Sequence, residues 1–176
     1  MRRVTIPLTK TERAKLKCGE EVLLSGTVYT ARDAAHKKLT QLIVQKKRLP
    51  FTLKNEIIYY AGPTPLRNDG FFGSCGPTTS SRMDKFTPFL LKRGLGAMIG
   101  KGRRSAEVRD SIKKYGAIYF LAVGGAGAFL AKRIKASSLM AFGELGPEAI
   151  YKLEVRDFPA MVGIDSKGND IFGNGE

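Results

Sequence analysis

Strand-like and helix-like segments alternate along this chain from Glu21 onwards, and this alternation restricts its fold more than any other feature of the sequence. Short apolar, β-rich segments are followed by amphipathic segments that have capping residues at their starts. This order is typical of a layered α/β domain whose sheet is at least partly parallel. The segments predicted as strands are residues 4–8, 20–29, 57–62, 94–102, 116–123, 149–155 and 160–164.

Several helix starts are predicted from capping residues. Thr30 is a suitable N-cap, and Asp33 stands in the capping-box position three residues later. A second helix is predicted to begin near Thr79. It either kinks at Pro88 or ends there, and in the second case a new helix restarts with Thr87 as N-cap and Pro88 at its first position. The other predicted helices cover residues 105–115 and a segment that contains Phe129, Leu130 and Ile134.

The length of the chain, 176 residues, fits one domain. This length is enough to bury a substantial core but too short for a core and a second independent lobe. We therefore predict a single domain over residues 1–176, in which the tail at 167–176 is loosely held.

The chain is strongly basic, with 30 Lys and Arg against 16 Asp and Glu and a net charge of +14. The excess is confined to residues 1–140, which carry 27 basic and nine acidic residues. This excess of positive charge indicates an anionic partner, which can be nucleic acid, an acidic protein surface or a small anionic substrate. Exposed aromatic residues that stack on bases are expected in a nucleic-acid-binding protein, but here most aromatic residues lie in apolar segments.

Two cysteines and one histidine are too few for a disulfide framework or a multi-histidine metal site. The N-terminus lacks the apolar segment of a secretory signal, and the longest apolar stretch, 116–131, is shorter than a membrane span. The turn Gly124–Gly127 does not have the spacing of a dinucleotide-binding loop. We therefore expect a cytoplasmic protein with free thiols.

The segment Gly73–Asp84 combines glycines and a proline with four consecutive hydroxyl residues and an arginine. All four hydroxyl residues are favourable N-caps, so a helix that begins near Thr79 would carry Arg82 on its first turn. A helix N-terminus offers free N–H groups and the positive end of a dipole, which suits a carboxylate or a phosphate. A capped helix with a solvated arginine explains the same residues.

Three cations, Arg32, Arg82 and Lys101, each lie beside a glycine-rich or N-capped turn. Loops at the ends of parallel strands gather at one edge of a sheet, so these side chains are predicted to converge. Two arginines can each bind a carboxylate through two hydrogen bonds, and a lysine adds a point charge. A dicarboxylic acid fits this set, while scattered surface charge is the alternative.

Taken together, these motifs resemble the β subunit of the iron–sulfur hydro-lyases, the family of class I fumarases and L-tartrate dehydratases. The resemblance extends over nearly the whole chain and implies a swivelling β/β/α domain with a mixed sheet, equivalent to the C-terminal domain of single-chain forms. The segments that carry it, in order, are Ala31–His36, Gly76–Asp84, Gly124–Gly127 and Lys152–Pro159.

The resemblance implies a role for individual residues. Thr78, the first threonine of the Gly-Pro-Thr-Thr motif, corresponds to the catalytic base, and Arg32 and Arg82 correspond to ligands of the substrate carboxylates. A free threonine hydroxyl is a very weak base, so its surroundings must activate it. The residues implied as supports of the site are Asp33, His36, Gly76 and Thr79.

Lys101 is the candidate for one more substrate contact, and its neighbours Arg103 and Arg104 leave a shift of register open. Cys75 stands where the family pattern leads us to expect a small residue such as alanine.

The resemblance also implies a cofactor and a partner. In this family the [4Fe–4S] cluster and its cysteine ligands belong to the α subunit, so this chain is expected to bind no metal itself. The expected assembly is a heterotetramer or larger, and the expected reaction is the reversible hydration of fumarate to L-malate. L-tartrate dehydration is the alternative reaction. A nucleic-acid-binding module and a homologue without activity are the rival classes.

Overall fold

A computed structural model describes residues 1–173, which fold around one seven-stranded mixed sheet. The strands are β1 (Arg2–Ile6), β2 (Glu21–Thr30), β3 (Ile57–Tyr59), β4 (Ala97–Gly100), β5 (Ile118–Leu121), β6 (Ile134–Ala141) and β7 (Ile150–Ile164). The α-helices are α1 (Lys10–Arg13), α2 (Asp33–Val44), α3 (Thr87–Lys92), α4 (Ala106–Tyr115) and α5 (Gly127–Ala131). Two 3-10 helices cover Ser80–Met83 and Gly143–Glu148.

Strand β2 joins the two parts of the sheet. Along one edge it pairs in parallel with β1 and then with β3, and the parallel order continues through β4 to β5. Along its other edge β2 pairs with the antiparallel strand β7, which also pairs with β5 and β6. Because β7 contacts both β2 and β5, the sheet closes into a barrel-like ring. The predicted α/β single domain with a mixed sheet is therefore confirmed.

Side chains of the central strands alternate between two apolar clusters. Ile57 and Tyr59 of β3 point into one cluster, and Ile58 and the following Tyr60 point into the other. This alternation follows from the two-residue period of a strand. The first cluster fills the space within the ring, since it takes residues from β1, β2, β5 and β7. The second lies beneath α2, α3 and α4, so both faces of the parallel strands are covered.

The prediction that Thr30 caps α2 is wrong. Thr30 is the last residue of β2, and its hydroxyl donates to the carbonyl of Ala149 at 3.3 Å and accepts from the N–H of Tyr151 at 3.0 Å. Arg32 is the N-cap instead, without a side-chain hydrogen bond to the helix. Because the hydroxyl of Thr30 is hydrogen-bonded to the start of β7, it does not cap α2, and the predicted capping box with Asp33 does not form.

The predicted α-helix from Thr79 is a single 3-10 turn, Ser80–Met83. Thr79 forms a bridge with Lys101, and the N–H of Ser80 donates to the carbonyl of Lys101, so this turn is tied to the end of β4. A new helix, α3, then begins at Thr87 with Pro88 in its first turn, so the prediction of a second helix is confirmed. Its N-cap is Phe86 and not the predicted Thr87.

Two C-terminal predictions are also wrong. Ile134 begins β6 and is not part of the preceding helix, which ends at Ala131. The two strands predicted at 149–155 and 160–164 form one strand, β7, because its pairing with β2 continues through a register shift opposite Ser25. At this shift Asp157 has a φ of 48°, and its N–H donates to the hydroxyl of Ser25.

The tail predicted to be loose lies partly outside the described residues. Within them, the carboxylate of Asp165 accepts hydrogen bonds from the N–H groups of Lys167 and Asn169. The same carboxylate accepts from the N–H of Cys18 at 3.3 Å, so the turn that follows β7 is tied to the start of β2. In the described part of the chain, no helix has the length and apolar character needed to cross a bilayer.

Candidate active site

The predicted site residues lie at the carboxyl ends of the parallel strands. Arg32 follows β2, Gly62 follows β3, and Lys101 directly follows β4. Because these strands run in the same direction, their carboxyl ends meet at one edge of the sheet. A Cβ atom at Gly62 would lie 3.0 Å from Cδ of Arg32, so the Arg32 side chain packs directly over the end of β3.

The segment that contains Thr78 lies across this edge. The N–H of Thr78 donates to the carbonyl of Tyr60 at 2.7 Å, and Thr79 forms a parallel bridge with Lys101. Thr78 is partly buried and Thr79 is exposed. The backbone of Thr78 is thus fixed between the ends of β3 and β4.

Lys101 is held to the same segment by Ser80. The N–H of Lys101 donates to Oγ of Ser80 at 3.0 Å, and the N–H of Ser80 donates to the carbonyl of Lys101 at 3.1 Å. The hydroxyl of Tyr119 donates to Oγ of Ser80 at 2.9 Å, and burial raises the pKa of Tyr119, so this hydroxyl keeps its proton. The side chain of Lys101 extends along Gly124, and its Nζ forms no ion pair with any described residue.

The two predicted arginines are linked through Asp33. Nε of Arg82 donates to Oδ1 of Asp33 at 2.9 Å, and Nε of Arg32 lies 3.9 Å from Oδ2 of the same carboxylate. Glu148 lies on the other side of Arg32, with Oε1 at 4.0 Å from Nε. Nε of Arg32 and Oδ2 of Asp33 are buried without a hydrogen bond among the described residues. The structure therefore brings both arginines together around Asp33.

The glycine turn that precedes α5 lies against the Thr78 segment. A Cβ atom at Gly76 would lie 3.2 Å from Cα of Gly127, and the N–H of Cys75 donates to the carbonyl of Gly127 at 3.1 Å. This close approach of two backbones accounts for glycine at both positions. Gly76 therefore supports the site by allowing this contact.

The comparison with protein families identifies the family of this chain. The family described as Fumarase C-terminus matches residues 1–175. The chain belongs to this family. A predicted resemblance to the class I fumarase and tartrate dehydratase family is thereby confirmed.

Individual relatives of this fumarase C-terminal domain differ in length. The chain is 47% identical over 152 residues to the anaerobic class I fumarate hydratase of Escherichia coli (strain K12), covering 85% of this chain and 28% of the relative. It is 44% identical over 157 residues to fumarate hydratase 2 of Leishmania major, covering 88% of this chain and 28% of that protein. It is 43% identical over 171 residues to a putative L(+)-tartrate dehydratase subunit beta of Methanocaldococcus jannaschii, covering 94% of this chain and 88% of that subunit. The domain thus spans about a quarter of the two fumarate hydratases but most of the tartrate dehydratase subunit.

Arg104 is a residue of the fumarase C-terminal domain for which no separate role was predicted. It is buried, its Nε donates to Oδ1 of Asp84 at 2.6 Å, and one terminal nitrogen donates to the hydroxyl of Thr87 at 2.8 Å. Burial alone would lower the pKa of Arg104, but electrostatic interactions with Tyr60 and Asp84 raise it. A buried arginine paired in this way stabilises the fold beneath the site, so we keep Lys101 as the candidate substrate contact.

His36 lies directly behind the arginines in the fumarase C-terminal domain. Its Nδ1 is 2.8 Å from the carbonyl of Arg32, which requires a proton on Nδ1, and its ring packs edge-on against Tyr60 at 5.2 Å. Complete burial lowers the pKa of His36 to about 4, so the ring is neutral near pH 7. His36 therefore fixes the backbone of Arg32.

The residues of this domain do not fit a metal cluster. No group of three His, Cys, Asp or Glu side chains that could hold a metal occurs in residues 1–173. Cys75 is buried, and burial raises its pKa to about 12, which opposes the thiolate form that a cluster needs. Cys18 lies next to Gly163 on β7, to whose carbonyl its thiol donates.

Proposed function

We propose that this chain is the β subunit of a hydro-lyase that hydrates fumarate reversibly to L-malate together with an α subunit. The observation that carries the proposal is the meeting of Thr78, two arginines and Lys101 at one sheet edge of a fumarase C-terminal domain. In this proposal the [4Fe–4S] cluster belongs to the α subunit. The assembly is a cytoplasmic heterotetramer or larger, and this chain swivels over the bound substrate.

Arg32 and Arg82 bind the two carboxylates of the substrate. Asp33 accepts a hydrogen bond from Nε of Arg82 only. The two terminal nitrogens of Arg82 therefore remain free to bind a carboxylate through two parallel hydrogen bonds. Arg32 lies on the other side of the same aspartate, and its side chain is partly exposed. Lys101 adds a mobile positive charge with no competing partner among the described residues. This arrangement favours a four-carbon dianion.

Thr78 takes the proton from the carbon next to one carboxylate of malate. The electron pair of that C–H bond forms the double bond of fumarate as the C–O bond of the neighbouring carbon breaks, and the hydroxyl leaves as hydroxide. Transfer of the proton now held by Thr78 to this hydroxide gives water and returns Thr78 to its ionised form. Because the chain has no α-helix at Thr79, the positive charges of Arg82 and Lys101 are the groups of this chain that favour an ionised Thr78. In this proposal the groups that help the hydroxyl to leave lie outside this chain.

L-tartrate dehydration is the second candidate. Its support is the 88% coverage of a putative tartrate dehydratase subunit beta, a relative of nearly the same length as this chain. Fumarate and tartrate are both four-carbon dicarboxylates, so the two arginines suit either substrate. The assay below therefore includes both.

The test is turnover by the complex of this chain with its α subunit, prepared without oxygen. Replacement of Thr78 by Ala should lower kcat for fumarate hydration by about 100-fold to 10,000-fold, the usual contribution of a general base. Ser81→Ala is the matched control, because it removes an exposed hydroxyl three residues away and should leave kcat unchanged. Near wild-type turnover by Thr78→Ala would refute the base assignment. Turnover of tartrate but not fumarate would select the second candidate.

A further inference from the structure

A basic groove lies at the opposite end of the parallel strands from the candidate active site. Its volume is about 800 Å³. One wall is the connection from α2 to β3, and the other is the connection from α3 to β4, so the groove adjoins the amino ends of these strands. The residues that line this basic groove are 47–54 and 92–94.

Five cations line the basic groove, and no acidic residue does. All five are exposed, and none forms an ion pair within residues 1–173. The C-terminal ends of α2 and α3 attract positive charge, which explains those cations that directly follow the helices. This effect falls off within one turn and does not reach Lys54, which precedes β3. The cations are Lys47, Arg48, Lys54, Lys92 and Arg93.

The backbone of the groove wall also has free donors. The N–H groups of Arg48, Leu49, Phe51 and Thr52 form no hydrogen bond to another described residue. Backbone N–H groups that have no partner in the protein are available to carboxylates and to the carbonyls of a peptide. The groove therefore offers both charge and directed hydrogen bonds to an acidic chain.

Apart from Thr52, the rest of the groove lining has no polar side chain, and its aromatic content favours a peptide over a nucleic acid. Leu49, Pro50 and Phe51 are half-buried and form an apolar strip beside the cations. The ring of Phe51 stacks on Tyr29, with centroids 4.2 Å apart and planes 18° apart, so one of its faces is covered. Single-stranded nucleic acids are usually bound on several exposed aromatic faces, which the basic groove does not provide.

We propose that the basic groove binds an acidic segment of a partner protein. Glutamate or aspartate side chains of this segment pair with the five cations, and an apolar side chain packs against the Leu49–Phe51 strip. Charge complementarity supports this partner, since the groove contains unpaired positive charge only. The groove and the candidate active site lie at opposite ends of the strands, so the proposal does not depend on hydro-lyase activity.

The test is fluorescence anisotropy of the full chain with a fluorescein-labelled peptide that combines glutamates with leucines. The double variant Arg48→Glu/Lys92→Glu should weaken binding at physiological salt by about 10-fold or more, because both contacts become repulsive. Lys132→Glu/Lys135→Glu is the matched control, since it makes the same change of charge at exposed lysines in a different groove. It should change the Kd by less than about 3-fold.

Two further probes complete the experiment. A peptide with serines in place of the leucines should bind more weakly, because it cannot use the apolar strip. Labelled oligothymidine should bind more weakly than the glutamate–leucine peptide. The proposal is overturned by absence of peptide binding, by equal losses in the two double variants, by equal affinity of the leucine and serine peptides, or by tighter binding of oligothymidine.

Discussion

Nε of Arg82 donates a hydrogen bond of 2.9 Å to Oδ1 of Asp33, a residue 49 positions earlier in the chain. The same carboxylate lies 3.9 Å from Nε of Arg32 through its other oxygen. One aspartate thus orients Arg82 by a hydrogen bond and lies beside Arg32, the other arginine proposed to bind substrate. Because the Arg82 side chain is 54% exposed, this link contributes little to stability and more to orientation.

Replacement of Asp33 by Ala should raise KM for fumarate by about 10-fold in the complex with the α subunit, with a smaller fall in kcat. The reason is that Arg82 loses the partner that orients its terminal nitrogens. Asp69→Ala is the control, because it breaks an exposed ion pair with Arg67 outside the site, and KM should not change. Steady-state kinetics of both variants check this prediction, and an unchanged KM in Asp33→Ala would contradict it.

The buried pair of Arg104 and Asp84 predicts a large effect on stability. Asp84→Asn should lower the free energy of unfolding by roughly 3–5 kcal/mol, because Arg104 remains buried without a counter-charge. Asp69→Asn removes a carboxylate from an exposed pair and should cost less than about 1 kcal/mol. Urea unfolding of the isolated chain, followed by circular dichroism, measures both changes. A loss in Asp84→Asn as small as that in Asp69→Asn would show that the pair is not needed.

His36 predicts a dependence of stability on pH. The folded protein keeps His36 neutral down to about pH 4, whereas the unfolded chain binds the proton near pH 6.5. Acid between these values therefore favours unfolding, and the contribution of His36 present above pH 6.5 is lost as the pH falls toward 4. The measured quantity is the free energy of unfolding of the wild type minus that of His36→Asn. This difference should fall by roughly 2–3 kcal/mol as the pH is lowered from about 7.5 to about 4.5.

Urea unfolding at several pH values measures this difference. Lys37→Asn is the control, because it changes an exposed neighbour on the same helix and leaves the buried imidazole in place, so its difference from wild type should stay constant. A constant difference between wild type and His36→Asn would contradict the assignment of a buried neutral imidazole.

The sequence predicted the strands that end before Arg32 and Lys101 because local patterns determine them. Arg32 and Lys101 each follow an apolar segment, and parallel strands bring the ends of such segments together. The hydroxyl of Thr30 was assigned wrongly because its partners, Ala149 and Tyr151, are 119 and 121 residues away. No local pattern marks such long-range contacts.

The same limit applies to the residues that sequence patterns missed. Glu148 approaches Arg32 only because the 3-10 helix Gly143–Glu148 packs on the start of α2. The burial of Arg104 depends on Asp84 and on two tyrosine rings from different strands. Basic residues are common in this chain, so composition does not separate a buried arginine from a solvated one.

Gly100, the last residue of β4, predicts a coupling between the sheet and the Thr78 segment. A Cβ atom here would overlap Oγ of Ser80 and lie 2.9 Å from Cδ2 of Tyr60. Gly100→Ala should therefore lower the free energy of unfolding by about 1–3 kcal/mol, the usual cost of overpacking. Gly73→Ala is the control, because its nearest atom would be Oγ1 of Thr64 at 3.5 Å, an ordinary contact.

The double variant Gly100→Ala/Ser80→Ala tests whether the hydroxyl of Ser80 causes the conflict. Removing this hydroxyl relieves the closest overlap, so the double variant should be more stable than the sum of the two single losses predicts, by about 1 kcal/mol. Urea unfolding of the four proteins in this cycle gives the coupling energy. Additive losses would mean that Tyr60 rather than Ser80 excludes a side chain at position 100, and that the contact between β4 and the Thr78 segment tolerates more change than the structure indicates.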